Sequence, residues 1–301
     1  MGNKTIKPII FIFIDALAWK PLRTLLPRLP TFKYLMEKYK SGSYINNLEI
    51  PKGDNCGEAV AMTSFCAATS LLTGKQPIEH GMLSSAWDTC ICEKENPKHN
   101  RKDRPFTKGE IKVKFIWEEI PNSVGLHTLL FPMIYYNCER PPEREFELED
   151  TIVKFPYDPA IRFSFPEKVT HILARESVKI LRDRKPSFFT CGLYGLDTMS
   201  HYNWHEPDFE ELYRGYKFID DYLRDILPFL EESWFVIGTQ HGMEDWYITS
   251  GRKGSRRMGI KGVHGDHDSE CPYITNMDEL KEILDIYKVI MKYAKKERML
   301  K

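Results

Sequence analysis

The chain has no excess of either charge: 43 Lys and Arg stand against 43 Asp and Glu in 301 residues. A protein that grips long nucleic acid through its phosphates carries a basic excess, so that class is disfavoured. Low hydrophobicity is also absent, since 42% of residues are hydrophobic, and this excludes a disordered chain. No apolar run reaches the roughly 18 residues of a membrane span. The best run, Pro8 to Leu17, is short and is interrupted by Asp15. It follows a basic start (Lys4, Lys7) but reads as a buried strand rather than a signal peptide, so a cytoplasmic protein is expected. Cysteine is sparse and odd in number, seven in all, which argues against a disulfide framework. Cys90 and Cys92 form a C-x-C with no matching second pair, which reads as a loop with two thiols more readily than as a zinc site.

What is present is an alternation of apolar runs and amphipathic stretches. Pro8 to Ile14, Ser187 to Tyr194 and Ser233 to Gly238 are continuous apolar runs, as strands buried on both faces should be, and Leu126 to Leu130 is a weaker one. Helical spacing covers Thr31 to Tyr39, Glu167 to Arg184, Asp208 to Leu230 and Met277 to Lys296. This order predicts an α/β fold with a mostly parallel central sheet and helices on both faces. One domain over residues 1–301 is expected. Two stretches break the rhythm, at about 88–110 (charged) and 136–166 (proline-rich), and read as insertions beside the site. Residues 251–262 form a basic, glycine-rich loop.

In open α/β sheets, ligands bind beyond the carboxyl ends of the strands. The first strong strand is followed by Asp15, the second by Asp197 and His201, the third by Gln240 and His241. Further on come His264, Asp266, His267 and Asp268. Carboxylates and imidazoles recurring at strand ends suit a metal site. Asp197 and His201 share one face of a helical turn, and His201 with His205 is a competing pair at the same spacing. Each residue alone has a plainer reading: Asp15 as a helix cap, His241 as a structural histidine, 264–268 as a solvated turn. Ser64 opens a helical stretch, where free backbone N–H groups favour a nucleophile that attacks a phosphoryl group. An ordinary N-cap has the same appearance.

These residues together resemble the alkaline phosphatase superfamily, and within it the type I phosphodiesterase/nucleotide pyrophosphatase branch. The order of elements matches from Asp15 to His264, nearly the whole chain. The segment Leu71 to Gly81 carries the most specific likeness, and Phe115 to Ile120 followed by Pro132 adds to it. The resemblance implies an alkaline-phosphatase-like fold with Ser64, nine residues before Thr73, as nucleophile. It implies two divalent metal ions, with zinc expected and manganese or magnesium as alternatives. One ion would be held by Asp197, His201 and His264, the other by Asp15, Ser64, His241 and the residue before it.

Two positions depart from that pattern. Gln240 stands where the family has a metal-ligand Asp, so the second site loses an anionic ligand. Three consequences are open: a weak or different second ion, a carboxylate supplied by Asp266 or Asp268, or lost turnover with binding retained. Ser85 falls where the branch has an Asn that donates to the phosphoryl oxygen. Sulfatases share Leu71-Leu-Thr-Gly74 but have Pro and Arg after the nucleophile, and this chain has neither there. The expected function is metal-dependent hydrolysis of a small phosphoester or nucleotide through a phosphoseryl-type intermediate. Thr63, Ser85, Arg252 and Lys253 are the substrate-binding candidates. A phosphomonoesterase or phosphotransferase, and a weakened nucleotide- or phosphate-binding protein, are the alternatives. Neither a membrane nor a long nucleic acid is expected as a partner, and the oligomeric state is not fixed by the sequence.

Overall fold

The structure, a computed structural model, describes residues 6–49, 64–81, 113–126, 135–136, 159–205, 207–245 and 265–300. A seven-stranded sheet has β1 (Ile9–Ile14) at its centre. Parallel neighbours flank it: β5 (Phe188–Leu193) on one side and β6 (Trp234–Gly238) on the other. Beyond β5 lie β3 (Ser123–Leu126), parallel to it, and the short antiparallel β4 (Tyr135–Tyr136). Beyond β6 lie β9 (Glu270–Thr275), antiparallel, and β2 (Lys40–Ile45) at the edge. Five of the seven strands run in one direction, so the expected mostly parallel sheet is observed, with its antiparallel pairs towards the edges.

All six residues of β1 are buried, and their alternation divides the core. Ile10, Ile12 and Ile14 face one cluster, which includes Leu22 and Leu25 of α1 (Trp19–Leu25) and Phe32 and Leu35 of α2 (Pro30–Lys38). Leu173 of α6 (Pro159–Asp183) and Tyr216, Ile219 and Leu223 of α8 (Glu210–Glu231) complete that face. Ile9, Phe11 and Phe13 face the other cluster. It holds Ala68 and Leu71 of α3 (Ser64–Thr73), Ile116 and Trp117 of α5 (Ile116–Glu119), and Ile286 and Ile290 of α9 (Asp285–Lys296). The period-2 side chains of one buried strand thus need helices on both faces. Two further helices are short or site-bearing: α4 (Pro77–His80) and α7 (Gly195–Asn203).

Two expectations are corrected. The helix expected from Glu167 begins at Pro159, so 159–166 belongs to α6 rather than to the insertion. Pro166 reads as a breaker in sequence, yet it lies inside this helix, while Pro159 takes the first-turn position that proline tolerates. The closing helix begins at Asp285 instead of Met277. The chain before it is held otherwise: Thr275 Oγ1 accepts from the Met277 N–H, and Glu282 bridges to Ile45. A strand covers Ser123–Leu126, and residues 127–130 of the weak run expected at 126–130 lie outside the described residues. Most of the two expected insertions, the basic loop at 251–262, and Cys90 with Cys92 lie outside the described residues. Among the described residues, no helix is long and apolar enough to cross a membrane.

Candidate metal centre

The carboxyl ends of three adjacent strands lie level with one another. Ile14 pairs with Leu193, and Phe13 with Gly238, so the residues that leave β1, β5 and β6 emerge together. Asp15 leaves β1, its N–H bonded to Leu193 O at 2.9 Å, and Ala16 turns the chain at once through a positive φ of 61°. α7 begins one residue past Tyr194 and presents Asp197 and His201. Gln240 and His241 follow β6 directly. A two-stranded sheet, β7 (Gly242–Asp245) with β8 (Gly265–Asp268), brings a fourth segment in, with His267 paired opposite Met243. Gly242 is required at this crossing: a Cβ there would lie 2.1 Å from the Glu270 carbonyl oxygen.

Three donor atoms form a closed triangle. Asp197 Oδ1 is 3.3 Å from His201 Nε2 and 3.1 Å from His267 Nε2, and the two nitrogens are 3.1 Å apart. Donors on a zinc ion at about 2.1 Å, with tetrahedral angles, stand roughly 3.4 Å from one another. Asp197, His241 and His267 also offer ligand atoms that all lie within 4.8 Å of one another. Two overlapping triads therefore share Asp197 and His267. We weight the one with His201 more heavily, because His241 Nε2 is 3.9 Å from Asp197 Oδ1 but 3.0 Å from Asp15 Oδ1. A carboxylate oxygen with imidazole nitrogens is a donor set that suits zinc, so the residues present fit such an ion.

The electrostatics sort these groups. Burial works to raise the Asp197 carboxyl, but the His201 and His267 imidazoles outweigh it and hold it well below the usual carboxylate range. Burial and the neighbouring His241 charge push His267 well below its ordinary value, which leaves a neutral ring with a lone pair. For His241, burial opposes the proton, but the bond to Asp15 and the charges of Asp15 and Asp197 prevail and raise it. His241 and His267 stack at 3.7 Å between centroids, an arrangement that disfavours two charged rings. His241 Nδ1 is fixed by the Gly242 carbonyl at 3.0 Å.

A buried frame holds the 239–241 turn. The Tyr44 hydroxyl of β2 accepts from the Thr239 N–H at 3.2 Å and donates to the Thr239 carbonyl. Asn46 Nδ2 donates to the Gln240 carbonyl at 2.8 Å, and Thr239 Oγ1 donates to the His241 carbonyl at 2.7 Å. Gln240 itself is fully buried; its Nε2 donates to Asp15 Oδ1, while its Oε1 has no partner among the described residues.

Of the residues expected at the site, Asp15, Asp197, His201, Gln240 and His241 are thus brought together. Ser64 is the first residue of α3, whose Ala68, Leu71 and Leu72 pack on Phe13 near the same strand ends. Thr63, Ser85, Arg252, Lys253 and His264 lie outside the described residues, and so does the side chain of Asp266. His205, the competing partner of His201, falls beyond the end of α7, is exposed, and lies 3.3 Å from Glu211. Asp268 Oδ1 accepts from the Ser269 N–H at 2.7 Å. His267 was not singled out as a ligand in sequence; the density of the 264–268 cluster was its signal, but spacing does not choose among its members.

The profile of the type I phosphodiesterase / nucleotide pyrophosphatase family matches residues 9–256. No curated protein sequence matches the chain. Among solved structures, murine ectonucleotide pyrophosphatase / phosphodiesterase 5, as an inactive variant in complex with AMP, superposes with TM-score 0.60 at 11% identity, covering 98% of this chain and 100% of that one. The human counterpart gives 0.57 at 12% identity, with 97% and 95% covered. Phosphonoacetate hydrolase from Sinorhizobium meliloti 1021, in complex with phosphonoformate, gives 0.51 at 16% identity and 80% coverage of this chain, which spans 57% of that structure. At these identities the likeness concerns the fold.

Proposed function

Because the chain belongs to the type I phosphodiesterase / nucleotide pyrophosphatase family, within the alkaline phosphatase superfamily, we propose that it hydrolyses a small phosphodiester or nucleotide in a metal-dependent reaction through a covalent intermediate on Ser64. Membership places it among the phosphoric ester hydrolases. The observation that carries the metal-dependent reading is the triangle of Asp197 Oδ1, His201 Nε2 and His267 Nε2 at the carboxyl edge of the parallel strands. A zinc ion bound there supplies Lewis acidity towards a phosphoryl oxygen.

The chain's own residues do the rest. Ser64 opens a ten-residue helix, and the N–H groups of a first helical turn, which lack intrahelical partners, together with the helix dipole favour a phosphoryl anion. Its Oγ forms a bond to phosphorus as the bond to the leaving oxygen breaks, and its proton passes to solvent. Water then attacks the same phosphorus, and the serine hydroxyl is restored. Asp197 holds the imidazoles of His201 and His267 in register. His241, bonded to Asp15 and to Gly242, places a proton-bearing ring beside them. Thr63, Ser85, Arg252 and Lys253 remain the candidates for substrate contact. A single α/β domain is part of this reading. So is a cytoplasmic setting, which the free thiols of Cys66, Cys191 and Cys271 support.

The test compares zinc-loaded protein on bis-p-nitrophenyl phosphate and on the monoester. Faster turnover of the diester supports the reading, and faster turnover of the monoester favours a phosphomonoesterase or phosphotransferase. Ser64→Ala should lower kcat by at least about 10³-fold; full activity in that variant would remove Ser64 from the mechanism. Gln240 favours a second reading, a weakened protein that retains binding of nucleotide or phosphate. Nucleotide binding without turnover in zinc, manganese or magnesium would support it.

A further inference from the structure

The family resemblance calls for a second ion between Asp15, Ser64, His241 and residue 240, and the donors on this side of the cluster do not fit one. We propose that the Asp15–Gln240–His241 side binds no ion of its own, so that the chain has a one-ion centre built on Asp197, His201 and His267. The inference takes from the proposed function only that this cluster is a metal site.

The reason lies in what Asp15 faces. Its Oδ1 receives the Gln240 amide N–H and lies 3.0 Å from His241 Nε2. Asp15 and Gln240 are both almost wholly buried, at 1% and 0% exposure, so water does not compete for these contacts. An amide N–H aimed at a carboxylate satisfies the oxygen that an ion would otherwise use, and a cation cannot occupy a position that an N–H donor fills. Turning the amide around would set its carbonyl against the Asp15 carboxylate, two acceptors in contact. Only a cation between them would relieve that contact, so the number of ions bound decides between the two orientations. The turn that carries Gln240 is fixed through its backbone by Tyr44 and Asn46, which limits how far the side chain can retreat. On the other side of the cluster the contacts within the Asp197–His201–His267 triangle join a carboxylate oxygen and imidazole nitrogens that can both serve as ligands.

The experiment counts ions. The full chain is stripped with chelator, titrated with zinc alone, and assayed for bound metal by mass spectrometry after desalting. The expected result is saturation at one zinc per chain for the native sequence and at two for Gln240→Asp. Two tightly held ions in the native chain, or one in a folded Gln240→Asp variant, would overturn the proposal. Because a second buried carboxylate beside Asp15 can hinder folding, the native chain is also loaded with cobalt(II). Electron paramagnetic resonance should show an isolated high-spin ion, and the signature of an exchange-coupled pair would overturn the proposal without recourse to a variant. Zero zinc in the native chain would remove the metal-dependent function and this inference together. One zinc without phosphodiesterase turnover would leave this inference standing and remove that function alone.

Discussion

His80 shows how one buried residue ties α3 to its surroundings. Its Nε2 shares a hydrogen bond with Ser70 Oγ at 2.8 Å, which fastens α4 to the middle of α3. Burial depresses its pKa from 6.5 to about 4. Between those values the unfolded chain holds a proton that the folded chain does not, so stability falls as pH is lowered through that window. At its full extent the effect is on the order of 3 kcal/mol. Urea denaturation at pH 7.5 and pH 4.5 should show this loss, and His80→Gln should flatten it. The depressed value follows from placement alone. The sequence signals His80 only as part of the Leu71 to Gly81 segment, because burial is a property of the packed chain.

The elements differ in how far their identity was written locally. β1, β5 and β6 are legible because each is a continuous apolar run with a polar or glycine break after it. Asp15, Asp197, His201, Gln240 and His241 are legible as a group because the carboxyl-end rule points to whatever follows such strands. The β7–β8 pair is not legible. Its strands, GMED and GDHD, are short and polar, and they exist through pairing with each other across a long separation in sequence. Their register, with Met243 opposite His267, decides that His267 turns to Asp197 while Asp268 caps its own turn. Periodicity places the start of α6 too late for a related reason, since Pro166 forbids little once neighbouring turns hold the helix. Gly242 makes the dependence on crossing geometry testable. In Gly242→Ala the new methyl meets the Glu270 carbonyl, and overpacking of this kind costs about 1–3 kcal/mol. Because His241 is the adjacent residue and β8 carries His267, zinc affinity should fall with it, as a calorimetric titration would show.

At the scale of the molecule, an ion at Asp197, His201 and His267 would join the chain after β5 to the chain after β6, segments 66 positions apart between His201 and His267. Such an ion binds only the folded chain, so at free zinc 100-fold above its dissociation constant it adds about 2.7 kcal/mol. For a chain of this length, removal by chelator should lower Tm by about 4 °C, which scanning calorimetry with and without zinc can measure. A Tm unchanged by chelator would place the ion elsewhere or nowhere. The balanced charge noted at the outset bears on the same centre. A chain with no net charge can concentrate phosphate only through local features, which under the proposed function are a bound cation and the N-terminus of α3.

The sequence alone determined the alternation of strand and helix, the family, and the set of residues at the strand ends, because hydrophobic period and motif spacing are local properties of the chain. Tertiary structure decided which of those residues stand within a few ångströms of one another. Ligation depends on distances of about 3 Å between segments far apart in sequence, and these follow from strand register and the packing of helices on a common sheet. His267 enters by register, His205 leaves because α7 ends before it, and Gln240 becomes Asp15's hydrogen-bond donor because both are buried side by side.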